Sequence, residues 1–331
     1  MGYLTGLREG IGSLATATAV LATAAALAAC SAEATPTQAP AQAGEQAGGL
    51  LLVSDLAVGE NRLAFTILSP SGDLLDDARV HVRFFLLHPD GRDEYRSEAD
   101  AVFRPVSELQ PHLHADGSEH HHGVKGGIYT VDRATFDEAG VWEARFDMAG
   151  VAPDAPSTGT LAFQVKERTA APALGDPVPS SLNPTARDVA DLTAITTHDP
   201  PVPALYELTV AEALERPRPL VVAFSTPAFC VTEMCGPVTD IVAAVYERYG
   251  DQADFIHIEP WDLAAARTEG RLVLTDSARE WGLPTEPWVF VVSGEGRVAA
   301  RFEGLVTEEE IVAAVEAASA GATRLRESGE V

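Results

Sequence analysis

The sequence predicts a two-domain protein of mixed class, an antiparallel β-sandwich followed by an α/β domain. Three observations carry the prediction. Apolar residues alternate with period two through residues 49–167, a proline-rich stretch without periodicity covers 168–203, and strand and helix patterns take turns from 204 to 320. A chain of 331 residues that is 46% hydrophobic and 22% charged is too apolar to be disordered throughout. Its length suits two modest cores. Lys and Arg number 23 against 49 Asp and Glu, a formal net charge of −26. That balance argues against nucleic acid as a partner, since phosphate backbones are held by clustered cations. It also repels anionic headgroups, so any membrane attachment has to be covalent or hydrophobic.

Taken in order, residues 11–29 form an uncharged, Ala-rich run preceded by Arg8, the pattern of a secretory signal. The run closes with Leu27-Ala28-Ala29-Cys30, which resembles the lipobox of bacterial lipoproteins. The resemblance implies that 1–29 is a signal peptide and that Cys30 is the lipid attachment site. The chain would then sit on the bacterial cell membrane, anchored by lipid and facing the extracytoplasmic side. Residues 30–48 are small and polar and read as a flexible tether.

The β domain is expected over 49–167. Leu63, Phe65 and Ile67 alternate, as do Val80, Val82, Phe84 and Leu86, then Trp142, Ala144 and Phe146, then Leu161, Phe163 and Val165. Turn signals such as Ser71-Gly72-Asp73 and Pro89-Asp90-Gly91 separate the runs, which favours a sandwich of immunoglobulin-like type. The segment resembles the YtkA-like and FixH-like extracytoplasmic β domains. Residues 168–203 hold seven prolines and read as an interdomain spacer.

From 204 to 320 the order is helix at 209–215, strand at 220–224, helix at 238–249, strand at 255–258, helix at 277–281, strands at 288–292 and 298–302, and a last helix at 307–318. Residues 321–331 form a polar tail. The loop after the first strand carries Cys230 and Cys235, the only cysteines besides Cys30. In an oxidising compartment this pair has no competitor for a disulfide. A cysteine between a buried strand and a helix start gains thiolate character from backbone N–H groups and the helix dipole. No Lys or Arg lies between Phe224 and Ile241, while Glu233 and Asp240 do, so a moderate thiolate pKa is expected.

The spacing has a mechanical consequence. Residues five apart on an ideal helix are roughly 8 to 9 Å apart between Cα atoms, beyond the limit of about 7 Å for a disulfide. The pair therefore closes only on an irregular loop ahead of a helix starting near Pro237, or with a turn unwound.

With Gly282-Leu283-Pro284-Thr285-Glu286-Pro287-Trp288 followed by Gly294-Glu295-Gly296, the region resembles the thioredoxin superfamily, whose α/β fold the element order fits. The resemblance implies a cis-proline at Pro287 that packs beside the reactive pair and receives substrate backbone. It also implies a thiol–disulfide oxidoreductase in which Cys230 attacks and Cys235 resolves. The partners would be protein thiols or disulfides, or an external reductant, and no cofactor is required. Four residues separate the cysteines where thioredoxins have two. Thr226-Pro227-Ala228-Phe229-Cys230 with Cys235 five positions on is similar to the Q-type peroxiredoxins, which implies a peroxidase as an alternative. A structural disulfide in a non-enzymatic binding lipoprotein is another.

His112, His114, His120, His121 and His122 place five of nine histidines within eleven residues. Neutral imidazole binds copper, zinc or nickel, and a solvated loop binding metal only incidentally is the plainer reading. Copper would unite the two domains, and the cysteine pair resembles that of the Sco family, which moves copper, so a copper carrier using the pair and the His loop is a further alternative. That family has a later ligand histidine, and this chain has no His after His257, which reads as a core histidine of the strand 255–258.

Overall fold

The computed structural model describes residues 46–105, 112–113, 119–120, 126–231 and 234–328, with backbone alone for 112–113, 119–120 and 321–328. The strands β1 (Ala47–Leu51), β2 (Gly59–Leu68), β3 (Arg79–Leu87) and β4 (Asp93–Pro105) are followed by a small hairpin, β5 (His112–Leu113) and β6 (Glu119–His120). Then come β7 (Gly127–Phe136), β8 (Gly140–Ala149) and β9 (Thr158–Val165). Seven of these close into a barrel in the order β1-β2-β7-β4-β3-β8-β9.

The sandwich expectation is thereby corrected. Alternation is the same in an open sandwich and a closed barrel, and closure is decided by a pairing far apart in sequence. Here β1 runs parallel to β9, with Ala47 opposite Gly159 and Gly48 opposite Thr160. Glycine permits the approach: a Cβ on Gly159 would sit 2.7 Å from the Ala47 carbonyl oxygen, and one on Gly49 2.7 Å from Leu161 Cβ. The alternating residues Leu63, Phe65, Val82, Phe84, Trp142 and Phe146 all point inward and are buried. Phe65 stacks on Phe146 at 4.9 Å and on Tyr129 at 5.8 Å. The barrel is filled by side chains.

The second region adds two short 3-10 turns, Leu192–Ala194 and Pro203–Tyr206, then α1 (Val210–Leu214), β10 (Leu220–Phe224), α2 (Cys235–Tyr249), β11 (Asp254–Ile258), α3 (Leu263–Glu269), α4 (Asp276–Glu280), β12 (Trp288–Val292), β13 (Val298–Glu303) and α5 (Glu308–Ser328). Its four strands form one sheet in the order β11-β10-β12-β13, with β10 and β11 parallel and the other neighbours antiparallel. The expectation of an α/β thioredoxin-like fold for 204–320 is also corrected. The described residues are mostly β and only 21% helical, and α1, α3 and α4 span five to seven residues each. The physical reason is that amphipathic stretches of that length close one or two turns and cover little of a sheet face.

Among the described residues only α2 and α5 are long helices, and both pack on one face of the sheet. Val238, Val242, Val245, Ile311 and Val315 meet Val221, Ala223, Val289 and Val291 there. Ile128 of β7 joins that cluster, so barrel and sheet share a core. Residues 171–178, within the proline-rich stretch, cover the opposite face: Ala171 and Val178 pack with Phe224, Trp281 and Phe290. Ser181, Asn183, Thr185, Thr196 and His198 of the same stretch are buried. Among the described residues no helix is long and apolar enough to cross a membrane.

Candidate functional site

Strand β10 ends at Phe224, and the chain runs through an irregular loop before α2 begins at Cys235. Hydrogen bonds pin the loop along its length. Ser225 N–H donates to the Ile258 carbonyl at 3.2 Å, Ala228 N–H to Thr197 Oγ1 at 3.1 Å and Val231 N–H to Glu286 Oε1 at 3.1 Å. At its end, Cys235 N–H donates to Cys230 Sγ at 3.2 Å. A helix normally presents its first N–H groups to a Ser, Thr, Asp or Asn cap, and α2 lacks such a cap at Met234. The Cys230 sulfur takes that place for Cys235 N–H, and a donor aimed at the sulfur favours negative charge there. The structure thus brings Cys230 and Cys235 together at the start of a helix.

Cys230 is half-buried and Cys235 fully buried. The Cys235 thiol is pushed far up, first by burial, then by its hydrogen bond with Cys230 and the Cys230 charge, with the Glu286 charge adding to these and a hydrogen bond from the Thr226 backbone opposing them. Val231, next to Cys230 in the chain, is 72% exposed.

The peptide Glu286–Pro287 is cis. Pro287 opens onto β12, and the Glu286 side chain just before it reaches across to the cysteine loop. Only 6% of Glu286 is exposed. Burial raises its pKa most, the Val231 N–H lowers it, and the charge of Cys230 raises it further.

Beneath the loop lies a polar cluster that sequence reasoning missed. Glu259, at the end of β11, accepts Thr197 N–H at 2.6 Å and Thr197 Oγ1 at 2.7 Å. Its pKa is pushed up to about 7, chiefly by burial, against the pull of the Thr226 and Thr197 hydrogen bonds. His257 is buried, with Nδ1 2.8 Å from Tyr206 Oη and Nε2 3.0 Å from the Ser225 carbonyl. Burial first, then the neighbouring His198, lower its pKa to about 3. It is a neutral core histidine with both nitrogens engaged. The signal that could have found the carboxylates was their position: Glu259 directly follows the buried run 254–258, and Glu286 directly precedes Pro287.

The histidine cluster is described only in part. His112 and His120 sit opposite each other in the β5–β6 hairpin backbone, while His114, His121 and His122 lie outside the described residues, as does Cys30. Among the described residues no group of three or more His, Cys, Asp or Glu is placed to hold a metal ion.

No family model matches the chain, and no curated protein does. Among solved structures, the bacterial hydrophobin BslA aligns at 11% identity over 38% of this chain and 95% of its own, with a TM-score of 0.18. A likeness of that size bears on neither fold nor function.

Proposed function

We propose that the protein is an extracytoplasmic thiol–disulfide oxidoreductase, tethered to the membrane through Cys30, in which Cys230 attacks and Cys235 resolves. The observation that supports it is the hydrogen bond from Cys235 N–H to Cys230 Sγ. It joins one accessible sulfur to one buried sulfur at a helix start.

The division of labour follows from exposure and charge. Cys230, half-exposed, attacks a substrate disulfide as thiolate, forming a mixed disulfide and releasing the first substrate thiolate. Cys235, fully buried, is shielded from external disulfides and reacts only with its neighbour. Two of the influences that hold the Cys235 proton in place come from Cys230, as hydrogen bond and as charge. Once Cys230 is tied up with substrate its charge is gone, so Cys235 becomes easier to deprotonate at the step where it must attack.

The reduction potential of the pair, measured in dithiothreitol buffers, tests the proposal. A redox-active pair sits above about −300 mV, whereas a structural bond falls below it. Cys230→Ser is expected to abolish insulin reduction, and Cys235→Ser to accumulate a mixed disulfide with substrate. A native pair that stays oxidised in dithiothreitol, or insulin reduction that persists without Cys230, refutes it.

A further inference from the structure

The two cysteines sit on different elements, Cys230 on the loop after β10 and Cys235 at the first position of α2. Their contact, Cys235 N–H to Cys230 Sγ at 3.2 Å, therefore depends on how loop and helix are set against each other. Two adjacent residues of the proline-rich stretch hold one element each. On the loop side, Ala228 N–H donates to Thr197 Oγ1 at 3.1 Å, two residues ahead of Cys230. On the helix side, Nε2 of the buried His198 lies 2.9 Å from Oδ1 of Asp240, five residues past Cys235.

The holding segment is itself fixed from behind. Thr196 Oγ1 accepts the Tyr206 hydroxyl at 2.9 Å and the His198 N–H at 3.0 Å, and Arg267 Nη2 donates to the Thr196 carbonyl at 3.3 Å. Thr197 N–H and its hydroxyl both donate to Glu259 Oε1, at the end of β11. A hydroxyl has one proton and two lone pairs. Thr197 gives its proton to Glu259 and a lone pair to the cysteine loop, so one side chain joins the sheet to that loop.

We infer that Thr197 and His198 are positioning residues for the thiol pair, clamping the loop of Cys230 to the helix that begins at Cys235; the role rests on the oxidoreductase reading above. Because the two are adjacent in the chain, the distance between loop and helix is set by one peptide unit, about 3.8 Å between Cα atoms. Loss of either side chain leaves the other holding one element alone. The Cys230 sulfur then moves off Cys235 N–H, and the donor that favours its thiolate is lost. The bond from Val231 N–H to Glu286 fixes the far side of Cys230 to the segment before β12 and leaves the helix to the clamp.

The test uses the full chain with Cys30→Ser, reduced, and one equivalent of dithiodipyridine, a neutral disulfide. The first thiopyridone is released when Cys230 attacks, and its rate against pH gives the apparent thiolate pKa of Cys230 and a limiting rate at high pH. Thr197→Val keeps the shape of the side chain and removes its proton and lone pairs, and His198→Ala removes the grip on Asp240. In each variant the pKa should rise by about one unit, as loss of one hydrogen bond to an anion does. The rate below the pKa then falls about tenfold while the limiting rate stays within about twofold. The double variant should match the slower single one, because the two residues act as a unit. Thr197→Ser should restore the parent profile. Thr197→Val touches Glu259 and His198→Ala touches Asp240, so a shift common to both comes from neither carboxylate. Should Thr197→Val fail to fold, Thr197→Ala carries the same prediction. A pKa moved by less than about 0.3 unit in either single variant overturns the inference and leaves the oxidoreductase reading intact. So do shifts that add in the double variant. Absence of any thiopyridone release from the parent sinks the oxidoreductase reading itself, and this inference with it.

Discussion

Two buried groups beneath the cysteine loop titrate in opposite senses, and their opposition is measurable. His257 has a folded pKa near 3 against 6.5 in the unfolded chain. The folded state refuses its proton, so the stability it supports is present above 6.5 and is lost as pH falls toward 3. Glu259 has a folded pKa near 7 against 4.5. Its contribution is fully present below 4.5 and is lost as pH rises through 7. Between those unfolded values, 4.5 and 6.5, the two slopes oppose and cancel. Glu259→Gln keeps an acceptor for Thr197 and removes one slope. The variant should lose stability on acidification across that window by about 1.4 kcal/mol per pH unit relative to the parent. Urea midpoints at several pH values measure it, and parallel curves for variant and parent would rule it out. Neither group was legible as a titrating pair. The sequence shows His257 inside an apolar strand, but the proximity of Tyr206, Thr196 and Thr197 depends on how the proline-rich stretch folds back.

At the level of elements, the barrel depends on the short contact between β1 and β9. A side chain at position 159 has no room, because even a Cβ would meet the Ala47 carbonyl oxygen at 2.7 Å. Gly159→Val should therefore push β1 off β9 and cost about 1 to 3 kcal/mol, the usual range for overpacking. Amide exchange in residues 47–51 should accelerate while the thiol reactivity of Cys230 stays unchanged. Unaltered protection of those amides would show that β1 is not what closes the barrel. The strands themselves were legible, because Val80, Val82, Phe84 and Leu86 must alternate wherever one face is buried. Closure was not, since Ala47, Gly48 and Gly49 look like the end of a polar tether until their partners on β9 are known. The same limit hid Glu286: its link to Val231 spans 55 residues of sequence, whereas Cys230 and Cys235 declared themselves through a local spacing rule.

Across the whole molecule, barrel and sheet are joined through Asp55. Its side chain is fully buried and accepts hydrogen bonds from Lys166 Nζ at 3.0 Å, Arg301 Nη2 at 2.8 Å, and the N–H groups of Ala170 and Ala171. Burial alone would raise its pKa, yet these donors together hold it below the usual carboxylate range. Arg301 in turn lies 4.8 Å over the Trp288 ring, at the start of the strand that follows Pro287. One carboxylate thus ties the segment after β1, the end of the barrel, the proline-rich stretch and the strand pair behind the thiol site. Asp55→Ala strands two cations and two N–H groups, that of Ala171 buried, and breaking a buried ion pair in this way costs about 3 to 5 kcal/mol. The shared core around Ile128 should make the parent unfold in one calorimetric transition, since residues 41–331 form a single compact unit. Without Asp55 the sheet loses more of its support than the self-closed barrel does, so the endotherm should split, with the lower transition carrying the loss of Cys230 protection. A single transition displaced by less than about 1 kcal/mol would mean that the apolar contacts at Ile128, and not the buried carboxylate, couple the barrel to the thiol site.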